Sequence, residues 1–289
     1  MRKRLIPFVM AAGCAAGLLR AFEWRWAWDT EKWLMTPWHT LSITLLVFSL
    51  AVAVLTWLTL RDEPKKTFAP SAEDFARFKS LFLVDAVAVL ALLVSAWLDS
   101  SVYFFPQSTG DQAAGVSQLI FAILSVLAAV CVLVVSQASA RGILSRAYAI
   151  YSLVPVFWGC FWLLRNISSY AINPVPLSFL YEMLAIVFTL LAMYSSAGFF
   201  FYRANRRRTQ LYGRLGIFFC LVTLLGAGFY WLFWNGLPMD TLAWSDVARF
   251  VFALFHLSAL LFGDGRKRRK NTEGTGRLGP MYDPYSYPY

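Results

Sequence analysis

The chain is built from long, nearly charge-free apolar runs. Each is close to the 20 or so residues that a helix needs to cross a bilayer core of about 30 Å. Seven are plain: 41–60, 81–98, 113–136, 147–164, 177–202, 215–234 and 247–263. An eighth, 5–19, is shorter and follows Met1-Arg2-Lys3-Arg4 directly. None alternates with period two, which argues against a β-barrel. Backbone groups in lipid must be satisfied within their own segment, so the runs are read as helices. Composition agrees: 59% of residues are apolar and 15% charged, against roughly 45–50% and 25% in soluble domains. The expected fold is therefore all-α, a polytopic transmembrane bundle over residues 1–263. Its eight spans lie near 5–22, 38–60, 80–98, 114–136, 147–165, 178–202, 214–234 and 245–263.

Basic residues set the orientation. With both termini inside, the inner segments collect Arg2, Lys3 and Arg4; Arg61, Lys65, Lys66, Arg77 and Lys79; Arg141 and Arg146; Arg203, Arg206, Arg207, Arg208 and Arg214; and the cluster after the last span. The other side and its borders hold Arg20, Arg25, Lys32, Arg165 and Arg249. Every inner segment is richer than its outer neighbours, so both ends are expected in the cytoplasm and the protein in the cell membrane, with the bilayer as its first partner. The first span is also compatible with a signal peptide, and Ala11-Ala12-Gly13-Cys14 resembles a lipoprotein cleavage site. Ala11 stands where such sites usually carry Leu, so a retained span is the expectation.

Outside the spans, Glu23-Trp24-Arg25-Trp26-Ala27-Trp28-Asp29 is read as an outer loop. Trp24, Trp26, Trp28, Trp33 and Trp38 would form an interfacial aromatic belt or, in a sharper reading, a platform for a sugar or lipid. Residues 61–80 fit an interfacial anchor, with Phe75 and Phe78 toward lipid. Residues 264–289 are basic, polar and rich in Tyr, and are expected to be disordered. Arg266, Lys267, Arg268, Arg269 and Lys270 would meet anionic lipid headgroups; nucleic acid is not expected, for want of a supporting fold.

Ionisable residues within apolar helices usually face the bundle and find partners. Asp85, Glu182 and His256 lie within spans, Asp85 only about five residues from the inner surface, and Arg249 lies near the outer one. Asp246, Arg249 and His256 share a face of the last span, while Glu182, Thr189 and Ser196 recur every seven residues in the sixth. Counted from matched ends, Glu182 and Arg249 each lie about 6 Å deep, and Thr189 and His256 each about 17 Å. The two faces are therefore expected to meet, with a Glu182–Arg249 ion pair above a Thr189–His256 hydrogen bond. Such a stripe is either interhelical glue or a polar path for a solute or protons.

Chemistry-bearing motifs are missing. Cys14, Cys131, Cys160 and Cys220 are scattered through the spans and read as packing residues, so neither a metal nor another cofactor is expected. There is no His-Glu-x-x-His, no Gly-x-Ser-x-Gly and no Walker A loop. The apolar spans, the Leu18-Leu19-Arg20 … Trp28-Asp29-Thr30 segment and the Arg206-Arg207-Arg208 loop resemble uncharacterised bacterial multi-pass membrane proteins. That resemblance implies an architecture and no activity. The expectation is a non-enzymatic scaffold, sensor or accessory subunit with a membrane-protein partner. The alternative is a transporter-like protein using the path between the sixth and eighth spans.

Overall fold

Helices close the backbone hydrogen bonds of each apolar run internally, and the computed structural model of the chain has eight of them among its described residues. It describes residues 5–26, 28–29, 34–35, 39–61, 79–104, 112–140, 147–172, 179–201, 205–234 and 243–265. The helices are α1 (Leu5–Trp26), α2 (Thr40–Arg61), α3 (Lys79–Phe104), α4 (Gln112–Ala140), α5 (Tyr148–Ile172), α6 (Leu180–Ala197), α7 (Arg206–Trp234) and α8 (Trp244–Gly265). Between α1 and α2, Trp28–Asp29 and Leu34–Met35 form a two-residue antiparallel ribbon. All eight helices are long and apolar enough to cross a membrane, which fits a multi-pass membrane protein. The segment expected as an interfacial anchor and the basic tail lie almost wholly outside the described residues.

Helix ends differ from the apolar runs where local backbone chemistry intervenes. The sixth run extends to 202, but α6 stops at Ala197. Gly198 follows, and the Phe199 and Phe200 amides donate to the Ser196 and Ala197 carbonyls, tightening the last turn into i→i+3 bonds. α1 runs on to Trp26, so Glu23, Trp24, Arg25 and Trp26 are helical rather than loop.

α3, α4, α5, α6, α7 and α8 form a closed circuit, each packed on the next and α8 back on α3. α1 and α2 stand outside it against α7. α7 is thus the hub, and small residues permit its close contacts. A Cβ on Gly17 of α1 would lie 2.7 Å from Leu225 Cβ. One on Gly216 of α7 would lie 2.6 Å from Leu257 Cδ1 of α8 and 3.5 Å from the Thr189 amide nitrogen of α6. α2 shows the inside-out pattern of a lipid-facing helix. Ser42, Ser49 and Thr56, seven residues apart, are buried, whereas Leu46, Val47, Leu50, Val54 and Leu58 are exposed. In water such an apolar surface would demand a partner; in a bilayer the lipid tails cover it.

Candidate functional site

α3 presents Asp85, Leu92 and Asp99 at seven-residue intervals, all buried, on the face it turns into the circuit. Asp85, six residues into α3, is fully buried, deeper than its sequence position suggests. Its Oδ2 accepts a hydrogen bond from Ser136 Oγ of α4 at 2.6 Å, and its Oδ1 meets His256 Nδ1 of α8 at 3.0 Å. Phe252, one turn back on α8, stacks on the imidazole with ring centroids 5.6 Å apart.

Fourteen residues along α3, about 21 Å at 1.5 Å per residue, Asp99 meets a different pair. Arg165 Nη1 of α5 lies 3.3 Å from its Oδ1, and Arg249 Nη2 of α8 bonds its Oδ2. Arg249 also bonds Asp246 on its own helix. Both guanidinium groups lie over the Phe121 ring, at 5.2 and 4.8 Å. At this same end, α1 holds another buried arginine: Arg20 Nη1 lies 2.5 Å from Glu23 Oε2, and its guanidinium lies over the rings of Trp24 and Tyr181 at 4.9 and 4.8 Å.

An aromatic layer separates the two ends. Trp158 and Trp162 of α5 are buried against one another at 5.2 Å. Phe252 meets Trp158 edge-on at 5.4 Å, and Phe250 meets Trp162 at 5.0 Å. Trp158 Nε1 donates to Ser125 Oγ at 2.8 Å, which satisfies its polar edge. These rings fill the middle of the circuit with apolar area.

On the Asp85 side of this layer lies a cavity of about 50 Å³, lined by Ser139 of α4, Ser152 and Pro155 of α5, Ser196 of α6, Phe200 and His256. Glu182 does not line it. Among the described residues, no three His, Cys, Asp or Glu side chains converge as a metal site.

The expected facing of α6 and α8 is corrected on both of its contacts. Arg249 pairs with Asp99 and Asp246 rather than Glu182. His256 bonds Asp85, while the Thr189 hydroxyl lies 3.8 Å from Cys220 Sγ of α7. The physical reason is that α7 lies against the Thr189 face and α3 against the ionisable face of α8. Glu182 is buried at the α6 end opposite Ser196. Trp24 is buried in the bundle with its ring 6.1 Å from Tyr230, so it is not a belt residue. Trp26 is exposed and stacks on Phe22 at 5.1 Å. Trp33, Trp38 and the Arg266–Lys270 cluster fall outside the described residues, as does the side chain of Trp28.

Asp99, Ser136, Arg165 and the Arg20–Glu23 pair were missed from sequence. One signal was available for Asp99: it repeats Asp85 two heptads on, which puts both acids on one face. It was overlooked because it falls just past the apolar run that ends at Leu98. The chain matches no protein-family model, no curated protein and no solved structure.

Proposed function

We propose that this is a bacterial, non-enzymatic integral membrane protein of the cell membrane, acting as a scaffold, sensor or accessory subunit of a larger membrane complex. The observation that carries the reading is the pairing of ionisable groups across α3, α5 and α8, with an aromatic layer between the two ends. Buried charges held this way fix helix against helix, which is the work of a frame. A transport path needs polar lining from one end to the other, and Trp158, Trp162, Phe250 and Phe252 interrupt it.

In this reading the termini are cytoplasmic, and the basic cluster 266–270 meets anionic headgroups. The charge asymmetry of the sequence supports that orientation. Arg20, Arg165 and Arg249, assigned to the outer border, are each bonded to an acid. Little uncompensated positive charge then remains on that side. The protein's own partner is a second membrane protein seated against its apolar perimeter.

The cavity beside His256 favours a second reading, a transporter-like protein for a small solute or protons. Reconstitution into liposomes holding a pH-sensitive dye separates the two. The frame predicts no flux above empty liposomes, together with a higher-mass assembly on native gels of gently solubilised membranes. Flux that disappears in Asp85→Asn would overturn it in favour of transport.

A further inference from the structure

Four helices bring polar side chains to the cavity, and each has hydrogen-bonding capacity left over. Ser152 Oγ of α5 donates to the Ala149 carbonyl at 2.7 Å, and Ser196 Oγ of α6 donates to the Met193 carbonyl at 2.7 Å. A hydroxyl that donates within its own helix still has oxygen lone pairs to offer. Ser139 of α4 makes no hydrogen bond among the described residues, so its hydroxyl can both donate and accept. His256 of α8 has Nδ1 against Asp85 at 3.0 Å. Nε2 is then the ring's polar atom left to the cavity, and it is a donor or an acceptor in every tautomer and charge state of an imidazole. None of this capacity depends on how Asp85, or any basic side chain nearby, is charged.

A buried water needs two to four polar partners and roughly 10–15 Å³ of room. The cavity offers those partners on four helices, in a space of about 50 Å³. By that measure it has room for about three to five waters. Much of the wall is apolar, Val135 and Phe200 included, and a wholly apolar space of this kind stays dry. Here a dry space would forfeit the hydrogen bonds that Ser139 and His256 Nε2 make with water. Toward Asp99 the wall changes character. Trp158 follows Pro155 by about one turn of α5, and Phe252 precedes His256 by about one turn of α8. Both rings are fully buried and meet edge-on at 5.4 Å, and Trp158 Nε1 is already spent on Ser125. That layer offers water no partner.

We infer that the cavity is a water site: a small cluster of bound water joins Ser139, Ser152, Ser196 and His256 and ends at the Trp158–Phe252 layer. No covalent bond is made or broken. The water links α4, α5, α6 and α8 through hydrogen bonds that these four side chains do not make with one another. The inference goes beyond the frame reading and does not rest on it. A hydrated pocket closed at one side carries no flux, and a dry one leaves the frame as it stands.

The test is radiolytic hydroxyl-radical footprinting of the full-length protein in nanodiscs, read by mass spectrometry. A short X-ray pulse makes radicals from water, bound water included, and these oxidise side chains within reach. Met193 lines the cavity, Trp158 and Cys220 do not, and all three are buried. Met193 is expected to be oxidised severalfold faster than Cys220 and Trp158. Ser196→Leu fills the space and removes one partner, and it should bring Met193 down to the rate of Cys220. Ser152→Leu fills the same space from α5 and serves if the first variant does not fold. Met193 as slow as Cys220 in the unmodified chain, the result of a dry cavity or one filled by a lipid tail, overturns the inference. So does Trp158 oxidised as fast as Met193, which would carry water past the aromatic layer, or a Met193 rate unchanged when the cavity is filled.

Discussion

Asp85 and Asp99 stand on one face of α3, about 21 Å apart, both buried, and they differ in what they meet. Asp99 is held between two arginines, Arg165 and Arg249, whose charge is permanent. Asp85 meets Ser136 and a histidine, the one side chain whose ordinary charge change falls near neutral pH. A cavity adjoins the second site, while the aromatic layer and Phe121 close over the first. The same residue type on the same helix thus serves two ends of the bundle differently. One end is held by arginines, and the other by a hydroxyl and an imidazole.

The largest effect is expected at the arginine end. Asp99→Ala strips Arg249 of its interhelical acid and removes the Asp99 contact of Arg165. Breaking a buried pair costs about 3–5 kcal/mol, so the variant should lose most of its thermal stability in detergent. A loss below about 1 kcal/mol, the range of exposed pairs, would mean that the end is solvated. Next comes Gly216→Val at the α6–α7–α8 junction, where the added Cβ meets Leu257. Overpacking of that kind costs about 1–3 kcal/mol, and a neutral result would mean that α7 does not lie between the Thr189 face and α8. The histidine end should give less. Asp85→Asn keeps the size and the Ser136 contact, and interhelical hydrogen bonds in membranes average about 0.6 kcal/mol with a maximum near 1.7. A double-mutant cycle at Asp85/His256 should therefore show weaker coupling than one at Asp99/Arg249, and the reverse order would undo the comparison. The smallest value is expected for Glu182 with Arg249, additive within about 0.5 kcal/mol; clear coupling would restore the α6–α8 pairing read from sequence.

Much of the architecture was legible because lipid makes each span a self-contained helix, and length and charge reveal it without tertiary information. Helix neighbours were not legible by the same means. In water the apolar stripe of a helix identifies its buried face. Here the lipid face is as apolar as the core, as α2 shows by burying Ser42, Ser49 and Thr56 and exposing leucines. Matching depth from span ends placed Glu182 level with Arg249, but equal depth is shared by every helix in a bundle. Glu182 and Arg249 are both buried at one end without being partners, because α8 turns its ionisable face toward α3. The acid that meets Arg249 from another helix lies beyond a run boundary drawn on hydropathy, just where a charge paired inside the protein is mistaken for the start of a loop.

Crosslinking in a background with the four native cysteines replaced tests the α3–α8 pairing most directly. Cysteines at 99 and 249 should join readily under a short bifunctional reagent in native membranes, whereas cysteines at 182 and 249 should stay separate. Joining at 182/249 without joining at 99/249 would contradict the account.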